Sequence, residues 1–486
     1  MKAGIIGSGV GGLATAIRLS TKGYKVTVFE QSDTIGGKLN ELRMGDFRFD
    51  TGPSLFTLPS LVDELFSIAG EKDSNTFRYK KLENVTRYFY PNGKVLNSWS
   101  DPIRFAQEAE QVLNEPAANI EQYLNECKEL YQLTSNMFMF SPFPTWKGFK
   151  SDEAKQIGMN FKKLKAFETM HKVNRRSFLQ KETIQLFNRF ATYNGSNPYK
   201  APGTLTIIPH LEHNIGAYFP EQGMYSIAKS MFSLAQKLGV NFELGCPAQR
   251  IEYKHGKVTG IKANGLADNF DIVVNNTDIF TAYPNQMPER KLSQFYKMQE
   301  PSSSALIFYW GIKGTHPKLD VHNILFSENY GEEFKVLEQK NISNDPTVYI
   351  FISSKAVPTD APAMHENWFV MVNVPYDSGQ DWHEITTRTK RNIFSKIKKE
   401  LNIDIEPLIV CEETLNPPQI EQKTGSYRGA LYGISSNNRF AAFSRHPNRS
   451  KNLKGLYFVG GSVHPGGGIP LCLASAKIVD NYIKPI

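Results

Sequence analysis

Three glycines near the start of the chain, Gly7, Gly9 and Gly12, form the pattern G-x-G-x-x-G, and Glu30 follows Gly12 by 18 residues. In this pattern the first glycine permits a tight turn, the second lets the backbone approach a pyrophosphate, and the third lets a helix pack closely. Free N–H groups at the start of that helix attract negative charge, and the acid accepts hydrogen bonds from a ribose. The spacing therefore predicts a dinucleotide-binding turn.

The residues around this turn have the pattern of a strand, a helix and a second strand. Residues 3–6 are a short apolar run, residues 13–20 carry apolar side chains at helical spacing, and residues 25–29 are rich in β-branched side chains. The apolar start is also compatible with a secretion signal. A signal peptide, however, does not carry glycines in this pattern or continue into an amphipathic strand. We therefore interpret the segment as a βαβ unit.

Glu30 does not decide between NAD and FAD, because both contain a ribose, but further blocks favour FAD. Residues 36–38 read Gly-Gly-Lys, and residues 50–54 read Asp-Thr-Gly-Pro-Ser. With these blocks the sequence resembles the FAD-dependent amine oxidase and phytoene desaturase superfamily. Residues 455–477, GLYFVGGSVHPGGGIPLCLASAK, resemble the last flavin-contacting motif of that family. The sequence contains no second G-x-G-x-x-G, so a separate nicotinamide domain is not indicated.

The resemblance implies a non-covalent FAD and a set of contacts to it. The implied cofactor-binding residues are Gly7, Gly9, Val10, Gly11, Gly12, Glu30, Gln31, Gly37, Lys38, Gly52, Pro53, Ser54, Ala248, Gly461, Gly468, Ile469 and Pro470. Pro470 suits the first turn of a helix, and the positive end of that helix would stabilise an anionic reduced flavin. We interpret Cys472 on this helix as a core residue, with a covalent link to the flavin as the alternative.

The sequence does not identify a catalytic residue or a metal site. His210 and His213 are three residues apart, but no third ligand follows nearby, so we predict no metal. His464 lies within the last flavin motif and is a candidate proton acceptor, although it is equally compatible with shaping the turn.

The order of the blocks predicts an α/β protein with a Rossmann-like, discontinuous FAD-binding domain. This domain would comprise residues 1–80, 215–290 and 450–486. An inserted substrate-binding domain, built on one antiparallel sheet, would comprise residues 81–100 and 291–449. Residues 101–214 are mainly helical in pattern.

Positive charge is concentrated in one part of this helical region. Residues 146–181 contain ten lysine and arginine residues against three acidic ones, a net charge of +7, whereas the whole chain has +8. Apolar and aromatic residues crowd residues 136–146 immediately before and at the start of this segment. We interpret residues 136–181 as a patch that docks on a membrane surface, with a core helix followed by a solvated basic helix as the alternative. Nucleic acid is not expected as a partner, because no nucleic-acid-binding motif accompanies the charge.

Composition sets further limits on the protein class. The chain has 486 residues, which favours two or three domains, and no window approaches the roughly 18 apolar residues of a transmembrane helix. The four cysteines are far apart and form no C-x-x-C pair. A reducing compartment therefore fits, and we expect a cytoplasmic protein associated peripherally with the membrane. The sequence does not indicate an oligomeric state.

The resemblance implies a carotenoid desaturase that dehydrogenates a polyene by hydride transfer to flavin N5. The block of residues 36–59 is more similar to desaturases that act on the 3,4 bond of a 1-hydroxy carotenoid than to phytoene desaturases. Phytoene desaturation stays open as an alternative. So do flavin amine oxidation and a non-enzymatic prenyl-binding function of the GDP-dissociation-inhibitor type.

Overall fold

The computed structural model describes residues 1–71, 77–142, 152–438 and 444–486. The strands in these ranges are β1 (Lys2–Ile6), β2 (Lys25–Phe29), β3 (Glu41–Met44), β4 (Phe47–Asp50), β5 (Tyr79–Lys81), β6 (Asn84–Phe89), β7 (Val95–Trp99), β8 (Tyr218–Pro220), β9 (Asn241–Glu243), β10 (Ala248–Lys254), β11 (Lys257–Ala263), β12 (Leu266–Asn269), β13 (Ile272–Asn275), β14 (Ser304–Lys313), β15 (His322–Leu325), β16 (Val348–Phe351), β17 (His365–Val374), β18 (Ile409–Leu415) and β19 (Leu456–Phe458). The α-helices are α1 (Val10–Thr21), α2 (Ser60–Ile68), α3 (Pro102–Leu113), α4 (Ala117–Ser135), α5 (Asp152–Met159), α6 (Met170–Ser177), α7 (Lys181–Arg189), α8 (Ser226–Lys237), α9 (Ile279–Gln286), α10 (Gln294–Lys297), α11 (Tyr330–Glu338), α12 (Trp382–Leu401), α13 (Pro417–Thr424) and α14 (Ile469–Tyr482).

A parallel sheet with the strand order β19-β13-β1-β2-β9 joins the two ends of the chain. Its central strands are apolar along almost their whole length, as expected where both faces of a sheet are covered. Leu13 and Ile17 of α1 pack with α8 and α14 on one face. On the other face, Ile6 packs against Ile251 and Ile261 of the antiparallel sheet β10-β11-β12. The predicted βαβ unit is therefore confirmed within a mixed α/β fold.

A second, mixed sheet has the strand order β18-β14-β17-β16-β15-β6-β7. The expectation of an antiparallel sheet is wrong for one pair, because β15 runs parallel to β6. Strand β6 precedes β15 by more than two hundred residues, so the long connection that a parallel pair requires is available. Phe308 and Trp310 of this sheet pack against Ile393 and Ile397 of α12. That packing buries one face of the mixed sheet and leaves the other for the site described below.

The described part of residues 101–214 is mainly helical and has its own aromatic core. Phe105, Tyr123, Phe187 and Phe190 are buried between α3, α4 and α7. Within the described residues, no helix combines the length and the apolar character that crossing a membrane would require.

The structure corrects one part of the docking-patch hypothesis. Met137 and Met139 are buried, so they do not belong to a surface that meets a bilayer. Residues 143–151, which include part of the apolar cluster and the start of the basic segment, lie outside the described residues.

Candidate cofactor and substrate site

The glycine-rich turn brings the N-terminus of α1 close to the neighbouring strands. A Cβ atom on Gly12 would lie 2.0 Å from the carbonyl oxygen of Gly7, and one on Gly11 would lie 2.7 Å from Oδ1 of Asn276. Side chains at these positions would therefore push the helix away from the turn. No side chain among the described residues caps α1 at Gly9. The first N–H groups of α1 are thus available to an anionic ligand, as the pyrophosphate hypothesis requires.

Glu30 lies at the end of β2, beside this turn, and is buried. Its Oε2 accepts hydrogen bonds from the backbone N of Ser8 at 2.7 Å and from Ser8 Oγ at 2.8 Å, and its Oε1 accepts one from Ser32 N at 3.0 Å. A carboxylate offers about four acceptor sites, so the side chain retains capacity for a ribose hydroxyl. These bonds also fix the direction of the carboxylate.

Asp50 positions the loop that follows β4. Its carboxylate accepts hydrogen bonds from the backbone N of Met224 and of Tyr225, both at 2.9 Å, and pairs with Arg48 at 2.7 Å. The acid of the D-x-G-P block therefore anchors the loop to the start of α8. At Gly52 a Cβ would lie 1.9 Å from the carbonyl oxygen of Lys38. This close approach places the Gly-Gly-Lys and D-x-G-P blocks side by side.

The C-terminal glycine turn leads directly into α14. Gly468 precedes the helix with φ 108°, a conformation that favours glycine, and Pro470 lies in the first turn. Within the described ranges, α14 has no side-chain cap, so its N-terminus is a second place where helix N–H groups are free. Burial raises the pKa of Cys472 to about 11. The thiol therefore stays protonated at neutral pH, and Cys472 is partly buried at the edge of the cavity described next.

These loops surround a cavity of about 1710 Å³. Of the predicted cofactor residues, its lining includes Gly7, Gly9, Val10, Gly11, Glu30, Gln31, Gly37, Lys38, Gly52, Pro53, Ser54, Ala248, Gly461, Gly468, Ile469 and Pro470. Gly12 serves the packing of α1 instead. Ligand sites commonly measure about 300–1,000 Å³, so this cavity has room for a dinucleotide and a second ligand. Its uncapped helix ends and side-chain-free turns fit FAD.

The free face of the mixed sheet forms a wall of the same cavity. Ile324, Tyr349, Met371, Ile307 and Leu415 are successive partners across β15, β16, β17, β14 and β18. All five line the cavity. Side chains at such partner positions project to the same side of a sheet, so this row is a mostly apolar wall.

Sequence reasoning missed two residues at this site. Asn276 follows β13, donates to the carbonyl oxygen of Gly7 at 3.4 Å, and lines the cavity. A polar residue directly after a buried parallel strand was the available signal. Arg445 is 3% exposed, and its Nη1 has no hydrogen-bond partner in the described structure. Burial lowers the pKa of Arg445 to about 10, so the cavity contains a guanidinium that stays charged at neutral pH.

Two of the histidines considered as ligands or proton acceptors contact other parts of the protein. His213 stacks on Phe105 with ring centroids 4.5 Å apart, and burial lowers the pKa of His213 to about 3. His464 Nε2 donates to the carbonyl oxygen of Ser141 at 3.1 Å. Groups of three or more His, Cys, Asp or Glu side chains able to hold a metal are absent from the residues that the structure describes.

Comparisons with known proteins extend these observations. A family model described as flavin containing amine oxidoreductase matches residues 10–479. The chain is 47% identical over 483 residues to the 1-hydroxycarotenoid 3,4-desaturase of Flavobacterium sp. (strain P99-3), covering 99% of both chains. It is 31% identical to the 4,4'-diapolycopene oxygenase of Methylomonas sp, covering 99% of this chain and 97% of that one. A solved oxidoreductase from Methanosarcina mazei superposes with a TM-score of 0.65 at 14% identity, covering 99% of each chain.

The family match covers nearly the whole chain and includes the dinucleotide turn and the C-terminal helix. It confirms the predicted cofactor, FAD, and the predicted oxidoreductase class. The solved structure supports the mixed α/β fold described above. The chain belongs to the flavin containing amine oxidoreductase family.

Proposed function

We propose that the protein is an FAD-dependent carotenoid desaturase that introduces the 3,4 double bond of a 1-hydroxylated carotenoid. The observation that carries this proposal is the 47% identity to a 1-hydroxycarotenoid 3,4-desaturase over 99% of both chains. The apolar row across the mixed sheet supports it, because a polyene is an apolar chain that needs such a wall.

For the cofactor, we propose roles for residues that line the cavity. The N-terminus of α1 would bind the pyrophosphate, Glu30 would bind a ribose, and the loop at Gly52 would contribute to the flavin site. The uncapped N-terminus of α14 would stabilise negative charge on a reduced flavin. When bound, FAD supplies the hydride acceptor for the C–H bond that is broken.

The remaining chemistry is exclusion of water and orientation of the substrate. Met371, Ile307 and Leu415 hold the polyene by apolar contact, which is worth about 25 cal/mol per Å² buried. Hydride loss leaves a positive charge that conjugation spreads over the polyene, and the neighbouring carbon then loses a proton to complete the double bond. That proton can pass to a weak acceptor such as a water molecule, so a strong protein base is not required. This agrees with a wall that is mostly apolar on its described residues.

The test is product analysis in two bacterial hosts, one that makes only phytoene and one that makes a 1-hydroxylated carotene. We expect a product with one more double bond in the second host only. Conversion of phytoene would instead support the phytoene desaturase alternative. Peroxide formation with amines would support an amine oxidase, and a purified protein without bound flavin would support a prenyl-binding function.

We also propose that the cavity opens to a membrane beside the segment of residues 157–167. Met159 is 78% exposed and Phe167 is 68% exposed. Phe167, Ile157 and Leu164 also line the cavity, so its wall continues to these exposed apolar side chains. Lys163 lies in the same segment, although it pairs with Glu129 at 2.9 Å. Exposed apolar side chains beside basic ones suit an interface with anionic lipid.

Flotation with anionic vesicles tests this docking proposal. We expect the wild type to float and Phe167→Asp to float several-fold less. Leu266→Asp is a matched control, because Leu266 is 76% exposed on β12 and does not line the cavity. Equal flotation of both variants would contradict the proposed orientation.

Our proposal for the domains keeps the division given by the sequence. The pairing of β1, β2, β9, β13 and β19 in the parallel sheet supports a discontinuous FAD-binding domain. The pairing of β6 and β7 with β14–β18 supports a substrate domain assembled from the two predicted segments. Limited proteolysis tests the division, with cleavage expected first between the sheets and the helical region.

A further inference from the structure

The cavity wall formed by the mixed sheet combines a row of mostly apolar side chains with several polar ones. Toward β17, β14 and β18 it presents the apolar residues Met371, Ile307 and Leu415. Asn373 of β17 and Glu413 of β18 line the cavity on the same face. Toward β16 and β15 it presents Tyr349 and His322, which also line the cavity. A ligand that suits this wall is therefore a mostly apolar molecule that carries a polar group.

Tyr349 and His322 belong to a chain of hydrogen bonds. Tyr349 Oη lies 2.6 Å from Ser54 Oγ and 2.8 Å from His322 Nδ1. Ser54 follows Gly52 and Pro53 in the loop that lines the cofactor part of the cavity. These hydrogen bonds therefore connect the loop of residues 52–54, which the sequence assigns to the cofactor, with the mixed sheet.

This chain of three groups has unused hydrogen-bonding capacity. Each hydroxyl offers one donor and two acceptor positions, and each takes part in only the bonds just described among the described residues. His322 is 2% exposed, and its Nε2 has no partner within the described residues. Burial lowers the pKa of His322 to about 3, so the imidazole is neutral at physiological pH. Ser54 and Tyr349 are half-buried, and both line the cavity.

A buried ion pair, Arg189 with Glu212, lines the same cavity. Arg189 donates to Tyr88 Oη at 2.5 Å and to Tyr193 Oη at 3.2 Å, and lies 3.6 Å from Glu212. Tyr88 is the partner of Ile324, which is in turn the partner of Tyr349. Tyr88 and Tyr349 thus belong to one row across β6, β15 and β16, with the apolar Ile324 between them.

We propose that the hydroxyls of Ser54 and Tyr349, backed by His322, bind the terminal hydroxyl of the polyene and thereby set which bond reaches the flavin. The inference rests on the proposed function, because it assigns residues to the hydroxyl of a 1-hydroxylated carotenoid. In such a substrate the hydroxyl lies two carbons from the 3,4 bond. Its binding group must therefore lie close to the ring, and the loop of Ser54 meets that requirement.

Selectivity follows from the cost of leaving these groups unpaired. A polyene without the hydroxyl would cover Ser54 and Tyr349 and exclude water from them. It would not replace the hydrogen bonds that water makes to these two hydroxyls. Sites built to bind a substrate hydroxyl discriminate strongly against analogues that lack it. We expect the wild type to prefer the hydroxylated polyene at least about tenfold, corresponding to one or two hydrogen bonds.

The experiment compares two carotenoids that differ only in the 1-hydroxyl, with wild type and Tyr349→Phe. Binding is followed by quenching of protein fluorescence with the two corresponding 3,4-desaturated products, which are not turned over. Turnover is followed by kcat/KM with the two substrates. Tyr349→Phe keeps the ring and should reduce the preference about three- to tenfold in both measurements. Tyr309→Phe is the matched control, because Tyr309 lines the same wall but donates to Thr51 O at 3.1 Å, and its preference should equal that of the wild type.

The outcomes separate this inference from the proposed function. A wild type that desaturates neither carotenoid contradicts the proposed function itself. A wild type that desaturates both equally, or a Tyr349→Phe variant with the wild-type preference, overturns the hydroxyl site and leaves desaturation standing. If Tyr349→Phe does not fold, His322→Gln provides a second variant with the same expected loss of preference.

Discussion

Glu400 should make the protein less stable as the pH rises toward neutrality. Its side chain lies near the C-terminal end of α12, is 6% exposed, and is 3.5 Å from Lys396. Burial raises the pKa of Glu400 from 4.5 to about 7, in spite of that lysine. Lys396 has a closer partner in Asp345 at 2.7 Å, and the negative end of the helix also disfavours a carboxylate.

The direction and size of the effect follow from proton linkage. Between pH 4.5 and about 7 the folded chain holds a proton on Glu400 that the unfolded chain has lost. The stabilisation is complete below pH 4.5 and is lost as the pH rises through 7. The difference between the two pKa values corresponds to about 3 kcal/mol of folding stability, since one pKa unit is worth about 1.4 kcal/mol.

Glu400→Gln removes the charge and keeps the size of the side chain. We expect it to raise the free energy of unfolding by up to about 3 kcal/mol at pH 8 and to change it little at pH 4.5. Urea unfolding at the two pH values measures the difference. Glu384→Gln on the same helix is the control, because Glu384 is 54% exposed and should give no gain that grows with pH. An equal effect of Glu400→Gln at both pH values would refute the reasoning.

Three further predictions concern the cofactor site. Gly12→Ala places a Cβ 2.0 Å from the carbonyl oxygen of Gly7 and should weaken FAD binding about tenfold or more, as measured by the flavin-to-protein absorbance ratio. A Cβ at Gly158 meets no atom within 4 Å, so Gly158→Ala should leave FAD binding unchanged. Cys472→Ser should release FAD on acid precipitation as completely as the wild type, whereas flavin retained only by the wild type would indicate a covalent link. Asp50→Asn weakens the anchor of the flavin loop, so urea unfolding should show a loss of about 1–3 kcal/mol, and an unchanged midpoint would contradict that role.

Local sequence patterns predicted those parts of the fold that are determined by residues close together in the chain. The glycine turn, α1 and Glu30 follow from spacing alone, because each role requires a particular residue type at a fixed distance. The parallel pairing of β6 with β15 did not follow, because nothing in either strand encodes a partner more than two hundred residues away. Met137 and Met139 were misjudged for a related reason. An apolar segment does not indicate whether its side chains meet a core, a cavity or a membrane.

The candidate site shows the same division. The predicted cofactor residues come mostly from contiguous blocks, and all of them except Gly12 line one cavity. The polar chain of Ser54, Tyr349 and His322 was not found, because its members come from three distant segments and form no motif. Arg445 was missed because a single arginine carries no signal of burial. Residues that are close together in the sequence could thus be grouped by pattern, whereas residues joined only by the fold could not.

The parallel sheet has a consequence for the order of events during synthesis. Strand β19 and helix α14 supply one edge of that sheet and the last turn of the cofactor cavity. Both are translated after almost all of the rest of the chain. A ribosome-bound nascent chain therefore lacks part of the pocket, and capture of the flavin must follow the emergence of α14 from the exit tunnel. Flavin supply should consequently influence how many newly made chains reach the mature state rather than how fast they are translated.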